Sequence, residues 1–324
     1  MTDSATKSGH SLDDVLSPQQ KADLEEQWKA RARFTEKLDR EAAASQVGII
    51  PPGRRSAEGM FVSTNEHRRF NEFVQTVRRH RTIGLCHGPA GVGKTRSARK
   101  VADWDSLADC MATGGWQQES NAPTLKRAAR NRTMLFTPVA GERVTDFKRR
   151  FKHTHELVDT VIYQGMDTRD RAPRTPLAHV EMLIIDEAER LSISLLEWLR
   201  SMFDASDVGM VLIGMPGMER TMSRHPQLYS RTGFSHRYSP LSTDELKFVV
   251  GRHWKRLKLG FDPDSYSDTQ AVAAIARLTR GNFRLVQRLF LQIERIVRIN
   301  HLSLVTEDVV DAAASVLIIG QATE

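Results

Sequence analysis

Residues 88–95 read Gly88-Pro-Ala-Gly-Val-Gly-Lys94-Thr95, a complete G-x-x-x-x-G-K-[ST] loop. Its glycines let consecutive backbone N–H groups turn toward one anion, where a Cβ would obstruct. A helix starting here presents the positive end of its dipole to the same anion. Lys94 can reach β- and γ-phosphates, and the Thr95 hydroxyl can ligate a divalent cation. Gly88, Pro89, Ala90, Gly91, Val92, Gly93, Lys94 and Thr95 are therefore the expected contacts of a nucleoside triphosphate, with ATP and Mg2+ as the expected ligand and metal. The flanks agree. Thr82-Ile-Gly-Leu-Cys-His87 is short, largely apolar and β-compatible, and Thr95-Arg-Ser-Ala-Arg-Lys-Val-Ala-Asp103 has helical composition.

A second motif lies about 90 residues downstream of the loop. Val180-Glu-Met-Leu-Ile-Ile-Asp186-Glu187 is an apolar run ending in two acids. Such a run suits a parallel strand buried on both faces. Asp186 at its carboxyl end is expected beside the phosphate loop, sharing the metal with Thr95. Glu187 is expected to orient and polarise an attacking water. Together the motifs read as a P-loop NTPase of the additional-strand type with a catalytic glutamate.

A chain of 324 residues allows about two domains. Only Cys86 and Cys110 are present, so no disulfide framework is expected, and a reducing cytoplasm fits. The start of the sequence carries no apolar signal segment. Val208 to Met218 is too short and too glycine-rich to span a bilayer. The net charge of +7 favours a polyanionic partner. Residues 123–152 concentrate it, with nine Lys/Arg against Glu142 and Asp146. Arg143, Lys148, Arg149, Arg150 and Lys152 are candidate contacts to nucleic-acid phosphates. A solvated helix face is the alternative meaning of such a run.

Residues 1–16 read as a polar, disordered tail. From 17 to 63 a helix capped by Ser17 leads through Val47-Gly-Ile-Ile-Pro-Pro-Gly to a linker. Ile49 and Ile50 in that linker are candidate adenine contacts. Residues 64–240 alternate helices and strands, which argues a parallel sheet with helices on both faces. Strands are expected near 82–87, 133–138, 180–186 and 208–214, with 104–131 irregular. Capping boxes are read at Ser194–Glu197 and Ser242–Glu245. From 241 to 324 the pattern is helical only, a small all-helical lid.

An α/β P-loop domain followed by a helical lid is the AAA+ layout. Met182-Leu-Ile-Ile-Asp-Glu-Ala-Glu-Arg190, Gly214-Met-Pro-Gly-Met-Glu-Arg220 and His225-Pro-Gln-Leu-Tyr-Ser-Arg231-Thr-Gly-Phe234 resemble the TniB/TnsC group of transposition ATPases, relatives of MuB. The resemblance covers roughly residues 50–300, and the 214–234 stretch is its specific part. It implies a cytoplasmic ATP-dependent regulator that binds double-stranded target DNA. Such proteins recruit or activate a transposase, with or without a targeting adaptor, and assemble as homo-oligomeric rings or helical filaments. It further implies that Arg231 is an arginine finger for a neighbouring subunit, with Arg220 and Arg224 as competitors. Arg284, in Gly281-Asn-Phe-Arg284, matches the second sensor position. Lys148 and Arg149 fall where the family contacts DNA. One departure stands out: AAA+ proteins usually carry a polar side chain at the tip of the strand ending near Gly214, and this chain has Gly214-Met215-Pro216. A slow ATPase is therefore expected. A helicase loader, a signalling or secretion-associated ATPase, and a non-hydrolysing ATP-bound scaffold are the other readings of the same residues.

Overall fold

The computed structural model describes residues 61–114, 119–167 and 179–317, all within one unit, Pro52–Glu324. The tail, the Ser17 helix and the linker bearing Ile49 and Ile50 lie outside the described residues.

Helix α1 (Asn65–His80) precedes strand β1 (Ile83–His87). Thr64 starts it by accepting from His67 N at 3.1 Å, and Arg81 ends it in the left-handed conformation at φ 48°. Helix α2 (Lys94–Val101) follows the phosphate loop. The stretch expected to be irregular holds two short helices, α3 (Trp104–Ala112) and α4 (Ala122–Asn131). Glycine and asparagine there mark their ends, while Leu107, Ala108, Met111, Leu125 and Ala128 bury their inner faces. Tertiary packing outweighs the weak local propensity.

Strand β2 (Thr133–Phe136), helix α5 (Val144–Gly165), strand β3 (Met182–Ile185), helix α6 (Ile193–Asp204) and strand β4 (Gly209–Gly214) follow. Helix α6 is capped by Ser192, whose hydroxyl accepts from Leu195 N, so the capping box read at Ser194–Glu197 does not form; the helix starts two residues earlier, and Leu195 at N3 has no carboxylate to close a box. Glu197 pairs with Arg200 instead. Short helices α7 (Met218–Ser223) and α8 (Pro226–Tyr229) lead to strand β5 (Thr232–Arg237). No strand was expected there. Thr-Gly-Phe-Ser-His-Arg lacks an apolar run because β5 is an edge strand whose side chains alternate between half-buried and exposed.

The five strands are parallel in the order β2-β3-β4-β1-β5. Strand β4 thus lies between β1 and β3, as the additional-strand reading requires. β1, β2, β3 and β4 are buried along almost their whole length. One core, around Leu85, Ile185, Leu212, Phe147 and Phe151, packs on one face. Another, around Phe70, Val77, Ile184 and Ile213, packs α1 and α2 on the other.

The helical region comprises α9 (Thr243–Arg256), α10 (Tyr266–Thr279), α11 (Phe283–Ile299) and α12 (Glu307–Ser315). It has its own core of Leu246, Val250, Trp254, Ile275, Leu289 and Ile293. The Ser242–Glu245 capping box is formed, and its glutamate does double duty. Glu245 Oε2 accepts from Ser242 N at 3.0 Å, while Oε1 accepts from Asn65 N at 2.8 Å. One carboxylate therefore caps α9 and the start of α1 together.

His253 sits face to face with Phe290 at 4.2 Å. Burial, reinforced by the nearby Arg256 charge, holds its imidazole down at about 4. An unfolded histidine binds its proton near pH 6.5. Between pH 6.5 and about 4 the unfolded chain therefore holds more protons than the folded one. Stability is full above pH 6.5 and falls as pH drops through that window. Discounted for solvent screening, the effect is about 1–2 kcal/mol. His253→Phe keeps the ring stack and removes the titration. Thermal unfolding at pH 7 and pH 4.5 should show a smaller acid-induced fall in Tm for the variant.

Candidate nucleotide site

The register sets the site. Ile185, Leu212 and Leu85 lie side by side across β3, β4 and β1. Asp186 is therefore level with Cys86, and Glu187 with His87 and Gly214. Two strand spacings put β3 about 10 Å from β1. All the carboxyl ends open at the same edge, where the phosphate loop begins.

Gly91 and Gly93 have φ of 80° and 116°, the left-handed region that side chains avoid. They turn the loop into the start of α2. The Lys94 ammonium lies over the loop, donating to Gly88 O at 2.5 Å and Pro89 O at 2.8 Å. Burial lowers its pKa, while the charges of Asp186 and Glu189 push it back up and Arg284 adds to the lowering. The Thr95 hydroxyl hydrogen-bonds the Asp186 carboxylate. Asp186 is raised above its ordinary value by burial, against the pull of Thr95 and of the Glu187 N–H, which donates to it at 3.0 Å. The two expected metal ligands are thus in contact.

Glu187 is left-handed at φ 55° and opens the turn Ala188–Arg190. Such a conformation costs a non-glycine residue about 1–2 kcal/mol. It directs the carboxylate out of the strand line. Arg190 forms an ion pair with it and also donates to Pro138 O at 3.0 Å, on the loop after β2.

The lid touches the loop directly. Arg284 N donates to Gly91 O at 2.9 Å and Asn282 Nδ2 to Ala90 O at 2.8 Å. Asn282 Oδ1 at the same time caps α11, accepting from Arg284 N and Leu285 N. Arg284 is thereby placed beside the phosphate loop. Sequence reasoning singled out Arg284 and passed over Asn282.

Beside Gly93 opens a cleft lined by Phe61, Val62, His67, Tyr238, Leu241 and Phe283 among others. His67 Nδ1 meets Ser97 Oγ at 3.0 Å, and Ser97 Oγ meets Tyr238 Oη at 2.7 Å. Burial lowers the His67 pKa, so its ring is neutral near pH 7. Apolar walls with a few fixed polar atoms suit a nucleobase. No sequence motif marks these residues, because they meet only when α1, α2, the β5 exit and the lid are packed.

Arg231 is at the other end of the molecule's sheet. It precedes β5, and its carbonyl accepts from Ile83 N at 3.0 Å, at the start of β1. The five residues of β1 separate it from its own phosphate loop, about 16 Å. Its guanidinium is held by Asp204 at 2.5 Å and donates to Gln227 O at 2.5 Å.

The cations on α5 are of two kinds. Arg150 turns inward, 13 % exposed, paired with Glu142 at 2.7 Å and lying over the Phe136 ring at 4.3 Å. It holds the 137–142 loop, so its charge is engaged inside the fold. Arg143, Arg149 and Lys152 are exposed, and half-buried Lys148 lies over the Trp198 ring. Among the described residues, Arg149 and Lys152 have only same-helix partners, Asp146 and Glu156.

Residues 77–222 match the family model described as "AAA domain". A Staphylococcus aureus protein named "Potential ATP-binding protein" is 32 % identical over 265 residues, covering 80 % of this chain and 97 % of that one. The chain belongs to the AAA-domain family. Among solved structures, this AAA-domain protein resembles an arginine-to-alanine mutant of Thermotoga maritima RuvB, with a TM-score of 0.50 and 18 % identity over 79 % of this chain and 70 % of that one. It also matches Aeropyrum pernix ORC2, at a TM-score of 0.47 and 14 % identity, over 81 % and 71 % of the two chains. The RuvB likeness is one of fold. Among the described residues no helix is long and apolar enough to cross a membrane.

Proposed function

We propose that this AAA-domain protein is an ATP-dependent, sequence-nonspecific duplex-DNA-binding regulator of DNA transposition. It assembles as an oligomer on target DNA and recruits or activates a transposase. The observation that carries the reading is the split between the nucleotide site and Arg231. Lys94, Thr95, Asp186, Glu187 and Arg284 converge at one end of the sheet, whereas Arg231 stands at the other. An arginine placed there is too far from its own phosphate loop to act on it, which supports a role on a neighbouring subunit's phosphate and hence an assembled enzyme. The name of the S. aureus relative supports ATP as the ligand.

The residues fit Mg2+: the Thr95 hydroxyl and the buried Asp186 carboxylate are hard oxygen donors already in contact. Bound there, the ion would neutralise charge on the β- and γ-phosphates. Hydrolysis is an in-line attack by water on Pγ. The water oxygen bonds to Pγ, the bond from Pγ to the β,γ-bridging oxygen breaks, and ADP leaves with that electron pair. Glu187 accepts the water proton and returns it to the phosphate product. Lys94 and Arg284 offset charge on the γ-oxygens, with Arg231 of the neighbour. The rate is expected to be slow.

DNA binding is assigned to the exposed face of α5, through Arg143, Lys148, Arg149 and Lys152, with Arg150 as the residue that shapes the adjoining loop. Cations without a base-reading element hold the phosphate backbone and discriminate little between sequences. Transposition rests on the resemblance of the 182–190 and 214–234 stretches.

The test is binding of a random-sequence duplex and of the matching single strand, without nucleotide, with ADP and with a non-hydrolysable ATP analogue. Duplex binding only with the analogue, in particles that lengthen with the DNA, is the expected result. Preference for single strands favours a helicase loader, and indifference to nucleotide favours a scaffold. Lys148→Ala and Arg149→Ala should each weaken binding on all sequences alike and reduce the salt dependence by about one counterion.

A further inference from the structure

The tip of β4 has no side chain of its own. A Cβ built on Gly214 would lie 2.2 Å from Met218 Sδ, so the position is closed to any larger residue while Met218 stays in place. The same point lies 3.2 Å from Glu189 Oε2. Glu189 reaches it from the Ala188–Arg190 turn that follows β3, the strand next to β4. A carboxylate from the neighbouring strand's turn therefore occupies the space beside the strand tip.

Its surroundings separate it from the other acids of the site. Asp186 is engaged by Thr95 and by its own turn. Glu187 is ion-paired with Arg190. No described residue forms an ion pair or hydrogen bond with the Glu189 side chain, which is exposed. Its charge still reaches Lys94, the phosphate-binding lysine. Both oxygens are available to accept hydrogen bonds at the carboxyl edge of the sheet, beside the tip of β4.

We propose that Glu189 positions the attacking water at the tip of β4, accepting a hydrogen bond from it in place of the polar side chain that Gly214 lacks. The inference rests on the ATPase reading above. In it the water has two acceptors with different tasks. Glu187 takes the proton, and Glu189 accepts the second O–H without taking its proton, fixing the oxygen lone pair toward Pγ. Removing such an orienting contact costs rate and leaves ground-state binding in place, because the contact is made to water and not to nucleotide.

The experiment measures steady-state ATP hydrolysis and the affinity for a fluorescent ATP analogue in the full chain. The forms compared are wild type, Glu189→Ala, Glu189→Asp, and Glu189→Ala combined with Gly214→Ser and Met218→Ala. Glu189→Ala is expected to lower kcat about 10–100-fold with KM and Kd changed less than about threefold. Aspartate should retain part of the rate. The triple variant opens the space that Met218 fills, places a hydroxyl on the β4 tip, and should recover activity that Glu189→Ala lost. Wild-type kcat in Glu189→Ala overturns the inference while leaving the ATPase reading intact. Loss of nucleotide binding together with rate, without recovery in the triple variant, assigns Glu189 a structural role and also overturns it. Nucleotide binding without turnover in wild type sinks the ATPase reading, and the inference with it.

Discussion

Glu187→Gln should lower kcat for ATP hydrolysis by about 10²–10⁴-fold, equivalent to about 3–5 kcal/mol of barrier, with ATP affinity nearly unchanged. The substitution is close to isosteric, so the left-handed turn at φ 55° and the Asp186 contact to its N–H can persist. What is lost is the capacity to take a proton. Phosphate binding is assigned to Lys94, the loop N–H groups and Arg284, none of which the change touches. The variant should therefore remain in its ATP-bound assembly and dissociate from duplex DNA far more slowly than wild type. Single-turnover hydrolysis and DNA dissociation, measured on the same preparation, check both halves. Normal turnover in Glu187→Gln would remove the glutamate from its assigned role.

The second large effect concerns Arg231. Arg231→Ala should reduce hydrolysis by about 10³-fold or more while each subunit still binds ATP, because a trans-acting arginine contributes on that scale. Placement at the start of β5, opposite the phosphate loop, makes a specific mixing result available. Subunits carrying Lys94→Ala have no working loop but keep Arg231. Subunits carrying Arg231→Ala have a working loop but no finger. Each alone should be inactive, and a mixture should regain activity. A mixture as inactive as its parts would show that Arg231 does not serve a neighbour, and attention would move to Arg220 and Arg224. The ion pair with Asp204 holds the guanidinium in the isolated chain. Engagement of a neighbour's phosphate would have to compete with that pair, which its surface position leaves screened by solvent and salt.

Local signals carried much of this molecule. The phosphate loop declares itself because its glycines, lysine and threonine must be contiguous to wrap one anion. Buried parallel strands declare themselves as apolar runs, which is why β1, β3 and β4 were legible. Strand β5 was not, because an edge strand needs only half of its side chains to be apolar. Helices α3 and α4 were missed for a related reason: each is short, and its stability comes from the core it covers.

The sequence by itself determined the class of chemistry, since Gly88–Thr95 and Asp186-Glu187 carry their function in consecutive residues. It determined the helical capping of α9 as well, where the box closes within four residues, whereas the same pattern at Ser194–Glu197 gave way to a Ser192 cap. Tertiary structure alone decided the cleft beside Gly93, the grip of Asn282 on the phosphate loop, the inward turn of Arg150 and the approach of Glu189 to Gly214. Each of these joins residues from different elements, at distances that chain spacing does not encode. Contiguous motifs are written in the order of the chain. Sites built across a sheet or between a sheet and its lid exist only once strand order and register have been fixed by burial.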